Sequence, residues 1–186
     1  MFKIAERILA MIQYRNLEMD EINRELFRDF IRRQAVNKCW CREAGAWVIK
    51  DAPFIDDWSE DDYRILTDCL KRTILEGGFV AGAFSEGRLK GFVAVTAGLF
   101  GGENKYLDLA SLHVSQDMRG HGIGRTLFQS AKDWAGKSGA KKLYISAHSA
   151  VESQAFYKAM RCVEAAWYHP GHVAEEPYDC QLECVI

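Results

Sequence analysis

Residues 106–125 read YLDLASLHVSQDMRGHGIGR, and this stretch contains the change of pattern that decides the fold. Residues 106–115 have the composition and alternation of a β-strand. From Ile123 onward, the apolar residues recur at helical spacing instead. The glycine-rich turn at 119–125 therefore joins a predicted strand directly to the N-terminus of a predicted helix.

This turn has the properties of a phosphate site. The first N–H groups of a helix have no partner within the helix, and the helix dipole adds partial positive charge, so anions bind there. Gly122 and Gly124 lack side chains, which lets a pyrophosphate approach the backbone closely, and Arg119 and Arg125 could add charge-assisted hydrogen bonds. The sequence contains neither a Walker loop nor the dinucleotide fingerprint. The alternative interpretation is a tight turn whose glycines serve geometry alone.

The pattern R-x-x-G-x-G, formed by Arg119, Gly122 and Gly124 after a strand ending in Leu112-His113-Val114, resembles the acetyl-coenzyme A signature of the GNAT N-acetyltransferase superfamily. The order of the following elements fits as well, so the resemblance covers roughly residues 79–185. It implies an α/β (α+β) fold, with a mixed, mainly antiparallel central sheet of about seven strands flanked by about four helices. Two positions depart from the family pattern: Ala150 replaces a frequent asparagine, and Arg161-Cys162 replaces a frequent Gly-Phe.

The resemblance also implies which residues bind the coenzyme. The turn amides would hold its pyrophosphate. The strand before the turn would splay from the strand at 141–147, which frees backbone N–H groups near Leu112 and Val114 for the acetyl oxygen. The side chain of His113 should face the other way and be structural. The predicted coenzyme-binding residues are Leu112, His113, Val114, Arg119, Gly120, His121, Gly122, Ile123, Gly124, Arg125, Ser149 and Ser153.

Two residues are the predicted catalytic groups. Tyr157 occupies the position where GNAT enzymes often carry a tyrosine that protonates the leaving thiolate, and its alternative role is a buried aromatic beside Phe156. Asp108 lies upstream on the strand where many of these enzymes place an acidic base, and by period two it shares a strand face with Leu112. His148, which could titrate near neutral pH, and water alone are the other base candidates.

Composition excludes several classes of protein. A chain of 186 residues with 48 % hydrophobic and 27 % charged residues is typical of one globular domain. The net charge of −2 shows no excess of basic residues of the kind that binds nucleic acid. No apolar run approaches the length of a membrane span, and the N-terminus does not resemble a secretory signal. The six cysteines lack zinc-site spacing, so we expect free thiols, no metal and a cytoplasmic location.

The predicted order of elements is β-α-α-β-β-β-α-β-α-β-β within a single domain at 1–186. The predicted strands cover 12–17, 79–84, 89–96, 106–115, 141–147, 163–168 and 179–185, and the predicted helices begin at Asp20, Ser59, Ile123 and Ser149. Capping boxes are predicted at Ser59–Asp62 and Ser149–Glu152. Residues 1–10 are expected to be an N-terminal extension whose apolar face could pack on a second copy in a homodimer.

Residues 34–58 are the least regular part of the sequence and contain three tryptophans. We expect this segment to form the wall of the acceptor pocket, although the tryptophans could equally cover the sheet. The resulting hypothesis is an N-acetyltransferase that moves an acetyl group from acetyl-coenzyme A to a primary amine of a small molecule, by direct attack in a ternary complex. The alternatives are a protein lysine or N-terminal acetyltransferase and a non-catalytic acyl-coenzyme A sensor.

Overall fold

The computed structural model describes residues 12–186. This part of the chain has a mixed α+β fold with four α-helices, as expected. Its elements in order are β1 (Gln13–Asn16), β2 (Gln34–Glu43), β3 (Ala46–Asp56), α1 (Glu60–Leu75), β4 (Phe79–Ser85), β5 (Arg88–Val95), β6 (Tyr106–Asp108), β7 (Ser111–Val114), α2 (Ile123–Lys137), β8 (Lys142–Ala147), α3 (Val151–Ala159), β9 (Val163–Glu164), α4 (Pro170–Glu175) and β10 (Cys180–Val185). The predicted extension at 1–10 lies outside the described residues.

The strands form two four-stranded sheets, in the orders β1-β4-β5-β7 and β6-β8-β10-β9. Every pair is antiparallel except β6 and β8, which run parallel. The single strand predicted at 106–115 is wrong, because the chain leaves one sheet after Asp108 and joins the other at Ser111. The predicted central sheet of about seven strands is therefore two halves that separate at this point.

The helices cover the two faces of the sheets. One apolar cluster lies under α2. In it, the fully buried side chains of Leu127 and Ala131 meet those of Val93 and Leu143. A second cluster lies on the other face, where Leu70 of α1 packs with Phe27 and other aromatic residues. The apolar residues of α2 recur at helical spacing, so one side of the helix is buried continuously. The first turn of α2, which includes the glycines, is held in place by this packing.

The helix predicted from Asp20 is wrong. The segment contains only a short 3₁₀ turn at Arg24–Phe27, capped by Asn23, whose side chain accepts a hydrogen bond from the Leu26 N–H at 3.2 Å. Ile22 and Phe27 are both fully buried without a continuous helix between them, because tertiary packing against the second cluster overrides the helical spacing. By contrast, the capping box predicted at Ser59–Asp62 is confirmed at the start of α1.

The segment at 34–58 is regular, contrary to expectation. β2 and β3 form an antiparallel hairpin that is a separate two-stranded sheet, with a turn at Ala44 and Gly45, which both have positive φ. The pairing register between the two strands shifts between Val36 and Lys38 of β2. Because much of each strand face is exposed, the hairpin lacks the clear alternation that marks a strand packed on a core.

Two predictions near the C-terminus are also wrong. The capping box at Ser149–Glu152 is absent, and α3 begins after Ala150 without a side-chain cap. The strand predicted at 163–168 stops at Glu164, and α4 follows with His169 as its N-cap and Pro170 in its first turn. Proline at that position is a helix-start signal that the sequence does carry. No helix within residues 12–186 is both long and apolar enough to cross a membrane.

Candidate active site

The glycine turn opens toward space that side chains would otherwise fill. Gly120 and Gly122 both have φ of +79°, and a Cβ added to either would meet nothing within 4 Å. Gly122 is the N-cap of α2 and has no side-chain cap, and the first intrahelical bond runs from the Thr126 N–H to the Gly122 carbonyl at 3.1 Å. The amides before Thr126 therefore have no partner within the helix, which is the arrangement that binds an anion.

The side chain of Arg119 is bonded to two backbone carbonyls. Its Nε donates to the Val114 carbonyl at 3.2 Å, and its terminal nitrogen donates to the Arg32 carbonyl at 3.1 Å. The guanidinium thus ties the turn to the strand before it and to the segment before β2. These two bonds hold the Arg119 guanidinium against the backbone, whereas the side chain of Arg125 is exposed.

A buried lysine supports the same loop, and sequence reasoning missed it. The ammonium of Lys90 donates to Asp117 at 2.7 Å and to the Asp29 carbonyl at 2.9 Å. The Ile31 N–H donates to the Ser115 hydroxyl at 2.9 Å. A lysine that is only 9 % exposed needs such partners, because burying an unpaired charge is costly. The signal in the sequence was a lysine within the otherwise apolar run at 89–95.

At the gap between β7 and β8, two backbone N–H groups have no partner among residues 12–186. The Ser115 N–H bonds the Lys90 carbonyl at 2.9 Å, and the register pairs Val114 with Gly91. Bonded and non-bonded pairs alternate along an antiparallel ladder, so the N–H groups of Leu112 and Val114 point away from β5. On that side β8 has already separated, since its pairing with β6 ends at Asp108. The predicted splay is present, with these two amides facing into it.

Tyr157 lies on α3, the helix that meets β7 and α2 next to this gap. The Cβ position of Gly124 is 3.5 Å from Val114 and 3.2 Å from Phe156, so β7, α2 and α3 converge there. The ring of Tyr157 packs against Phe156 at 5.2 Å and against Phe128 at 6.3 Å. Burial raises the pKa of the Tyr157 phenol, which keeps it protonated at neutral pH.

The remaining predicted coenzyme-binding side chains occupy different surroundings. The imidazole of His113 lies 4.8 Å from the Trp58 ring and 5.3 Å from Phe92, and burial lowers its pKa to about 3, so it is neutral and structural as expected. The Nδ1 atom of His121 is buried without a partner among the described residues. Ser149 is buried and its carbonyl accepts from the Trp40 N–H at 2.8 Å, while Ser153 is partly buried.

Asp108 lies at the end of β6, and its carboxylate is paired. Its Oδ2 is 3.1 Å from Nε2 of His172, and its Oδ1 is buried without a partner in the described chain. The shared strand face proposed for Asp108 and Leu112 does not exist, since the two residues belong to different sheets. The hydrogen bond to Asp108 raises the pKa of His172. Sequence analysis missed this partner, which lies on the unpredicted helix α4.

Two further titratable groups lie near this pair. The Nδ1 atom of His148 accepts a hydrogen bond from the Ala150 N–H at 3.0 Å, and its ring lies 5.8 Å from Phe54 of the hairpin. Burial, together with the charge of Glu176, raises the pKa of Asp179 to about 6. The nearest donor to that carboxylate is the Ser146 hydroxyl at 3.4 Å.

The β2–β3 hairpin covers this end of the molecule. Near its base, Cys39 forms an isolated bridge with Ala150. Near its turn, the indole N–H of Trp47 donates to Glu164 at 3.1 Å, and Arg42 bonds the hydroxyl of Tyr168 at 3.0 Å as well as Glu164. The hairpin therefore spans from the loop before α3 to β9.

The cysteines and acidic residues form no metal site in the described chain. All six cysteines are unpaired thiols, four of them buried. No group of three or more His, Cys, Asp or Glu side chains within residues 12–186 is arranged to hold a metal ion.

Comparison with solved structures finds acetyltransferases that share this fold. Nourseothricin acetyltransferase superposes with a TM-score of 0.67 at 18 % identity, over 94 % of this chain and 98 % of that one. A putative streptothricin acetyltransferase from Bacillus anthracis str. Ames, in complex with acetyl coenzyme A, superposes with a TM-score of 0.70 at 15 % identity. The superposition covers 95 % of this chain and 99 % of that one. The PaiA N-acetyltransferase from Thermoplasma acidophilum, in complex with coenzyme A, has a TM-score of 0.61 at 16 % identity. It covers 94 % of this chain and 99 % of its own.

At these identities the likeness shows the fold, and a search of curated proteins by sequence returned no match. The sequence itself matches the family model described as "Acetyltransferase (GNAT) family" over residues 43–160, which is more than half of the chain. That match includes the glycine turn, the gap between β7 and β8, and Tyr157. The chain is a member of the GNAT acetyltransferase family and thus an acyltransferase.

Proposed function

We propose that this protein transfers an acetyl group from acetyl-coenzyme A to a primary amine of a small molecule, by direct attack of the amine in a ternary complex. The observation that carries the proposal is the pair of N–H groups on Leu112 and Val114, which point away from β5 into a gap in the sheet, directly before a helix without a side-chain cap. Such a gap offers hydrogen bonds to an extended ligand whose phosphates rest on the helix N-terminus.

The residues of this region fit the coenzyme. The amides from Gly120 to Arg125 would hold the pyrophosphate, since no side chain occupies the space above Gly120 and Gly122. One of the two free amides of β7 would donate to the carbonyl oxygen of the thioester as negative charge develops there. The thioester supplies an activated acetyl group whose carbon accepts the nucleophile.

Two side chains would handle protons. The Tyr157 phenol, which its burial keeps protonated, would donate to the departing thiolate. The Asp108 carboxylate, at the end of β6, would supply negative charge near the amine as it loses its proton. Both assignments follow the family resemblance and are consistent with the burial and pairing of these residues.

The choice of a small acceptor rests on the hairpin. Its contacts with Glu164 and Tyr168 would close the acceptor end, whereas a peptide substrate would need an open groove. The names of two structural relatives, nourseothricin and streptothricin acetyltransferases, favour a small molecule as well. A third relative, the ribosomal-protein-S18-alanine N-acetyltransferase from Escherichia coli, keeps a protein N-terminus as the second candidate.

The decisive experiment is a panel of amines with acetyl-coenzyme A as the donor, with release of free thiol as the readout. It should include small mono- and polyamines, aminoglycoside-like amines, and peptides with a free N-terminus or lysine. Transfer to a small amine supports the proposal, and transfer to peptides alone would replace it with the second candidate. Coenzyme binding without any transfer would indicate an acyl-coenzyme A sensor. The cytoplasmic location and the homodimer expected from the sequence stay predictions.

A further inference from the structure

The Asp108–His172 pair points to a specific proton acceptor. We propose that Nδ1 of His172 accepts the proton that the acceptor amine loses, while Asp108 acts as the positioning residue for its imidazole. This inference rests on the proposed acetyl transfer and names the group that completes it. The first observation is the contact itself, since Nε2 of His172 lies 3.1 Å from Oδ2 of Asp108.

The contact fixes which nitrogen is free. A carboxylate only accepts hydrogen bonds, so Nε2 must carry a hydrogen toward Asp108. In the neutral ring the lone pair is then on Nδ1. Within the described chain, that atom has no hydrogen-bond partner, and the His172 side chain is 25 % exposed. A neutral His172 therefore presents an unoccupied lone pair to the surroundings of the site.

Neighbouring groups hold the ring in place. The His172 ring stacks on Tyr144 of β8 at 5.6 Å with an interplanar angle of 22°. The Tyr144 hydroxyl accepts the His169 N–H at 2.8 Å, which fixes the start of α4 against the sheet. Asp108 and Tyr144 are also register partners at the end of the β6–β8 ladder. The base is thus anchored at the position where the sheet opens.

Two other histidines near this pair, His148 and His169, already use the lone pair of their Nδ1 atoms. His148 accepts the Ala150 N–H through Nδ1, so its neutral form carries hydrogen on Nε2 and its lone pair is already used. His169 accepts the N–H groups of Gly171 and His172 through its own Nδ1. Either ring would have to break a backbone hydrogen bond before accepting a proton.

The charges around His172 favour its protonated form. The carboxylates of Asp108, Glu175 and Asp179 act on it from β6, α4 and the segment before β10. The ring of His169 lies 4.9 Å away and that of Tyr144 lies beneath. These carboxylates would stabilise the imidazolium that forms during transfer.

Acetyl transfer forms one bond, breaks one bond and moves two protons. The amine nitrogen bonds to the acetyl carbon as the carbon–sulfur bond breaks, giving an amide and a thiolate. One proton moves from nitrogen to Nδ1 of His172, and one moves from the Tyr157 hydroxyl to sulfur. Exchange with solvent then removes the proton from His172 and returns one to Tyr157.

The test compares pH profiles of kcat for the wild-type protein, His172→Gln, Asp108→Asn and His148→Gln, with the acceptor found in the amine panel. In the wild-type protein kcat should rise with pH as His172 loses its proton. His172→Gln should lower kcat by about 10²-fold or more and remove that limb. Asp108→Asn keeps an acceptor for Nε2–H without the charge, so the limb should shift to lower pH. His148→Gln should keep the limb at its wild-type position.

Two controls separate the outcomes. Coenzyme-induced thermal stabilisation should be the same in all four proteins, which shows that the variants fold. Imidazole ¹⁵N resonances of His172 should show hydrogen on Nε2, and its titration should move to lower pH in Asp108→Asn. If the rise of kcat with pH survives in His172→Gln, or disappears in His148→Gln, His172 is not the proton acceptor, although the proposed acetyl transfer still holds. A wild-type protein that acetylates no amine refutes the proposed function, and the base assignment falls with it.

Discussion

Asp108 and Tyr144 face each other at the last paired position between β6 and β8, and the two strands separate immediately beyond them. The Leu109 N–H still bonds the Tyr144 carbonyl at 2.9 Å, and Ser111 already pairs with Ala94 of the other sheet. One chain segment therefore belongs to both sheets and opens a gap between them. The glycine turn follows β7 on one side of this gap, and the Asp108–His172 pair lies at the point where it opens.

Coenzyme binding should depend on the missing side chain of Gly122. We expect Gly122→Val to abolish the thermal shift given by acetyl-coenzyme A, because the added atoms fill the open space over the turn amides. The matched control is Gly139→Val, which has a similarly positive φ of +85° and equally open space, far from the turn in sequence. Both variants carry the backbone strain of a β-branched residue at positive φ, and only the first should lose binding.

The expected quantity is the stabilisation of the folded state by bound coenzyme. At a ligand concentration 100 times the dissociation constant, the coenzyme should stabilise the wild-type protein and Gly139→Val by about 2.7 kcal/mol. Differential scanning fluorimetry across a concentration series measures this. Equal stabilisation of the two glycine variants would show that the turn does not hold the coenzyme.

Tyr157→Phe should affect turnover and leave binding intact. The substitution removes only the hydroxyl, while the ring contacts with Phe128 and Phe156 remain. General-acid assistance is worth about 10²–10⁴-fold, so kcat should fall by that range with little change in coenzyme affinity or melting temperature. Steady-state kinetics over a pH series are the measurement. Full activity in the variant would mean that the thiolate takes its proton from water or from the ammonium.

Asp179 should make the protein less stable as pH rises from about 4 to about 6. Its folded pKa of about 6 lies above the ordinary value near 3.9, so the folded state binds more protons in this range and loses stability as the pH increases. Asp179→Asn should therefore be more stable than wild type at pH 7, by about 1 kcal/mol after allowance for solvent access, and equally stable near pH 3.5.

Urea denaturation at the two pH values checks this prediction. Asp68→Asn, which removes an exposed carboxylate from α1, is the control and should not show the same difference between pH values. The same stability difference at both pH values would contradict the link between Asp179 ionisation and folding.

Closure of the hairpin should govern acceptor affinity. Glu164→Ala removes the carboxylate that receives Arg42, Trp47 and the Tyr168 hydroxyl, so the hairpin loses its contact with β9. We expect the KM for the amine to rise several-fold while coenzyme affinity stays the same. Glu43→Ala, which breaks only the ion pair with Lys50 within the hairpin, is the matched control. An unchanged KM in Glu164→Ala would show that the hairpin does not form the acceptor wall.

The sequence by itself determined the parts of this protein whose signals are local. The strand-to-helix turn at 119–125 combines glycines with a switch of periodicity, and the start of α1 has its complete capping box. The β4–β5 hairpin is marked by two apolar runs around a short turn, and α2 by its buried face. In each case, neighbouring residues in the chain supply the hydrogen bonds and the burial that specify the element.

Only the tertiary structure decided where the sheet opens and what meets there. Residues 106–115 read as one strand because local pattern cannot show that Asp108 pairs with β8 while Ser111 pairs with β5. The contact of Asp108 with His172 joins residues 64 positions apart, and the commitment of Arg119 to the Arg32 carbonyl joins residues 87 positions apart. Such contacts form when distant segments compete for the same hydrogen bonds and buried space. Sequence pattern therefore predicted the glycine turn at the start of α2, while the pairing of strands created the gap and placed a histidine beside it.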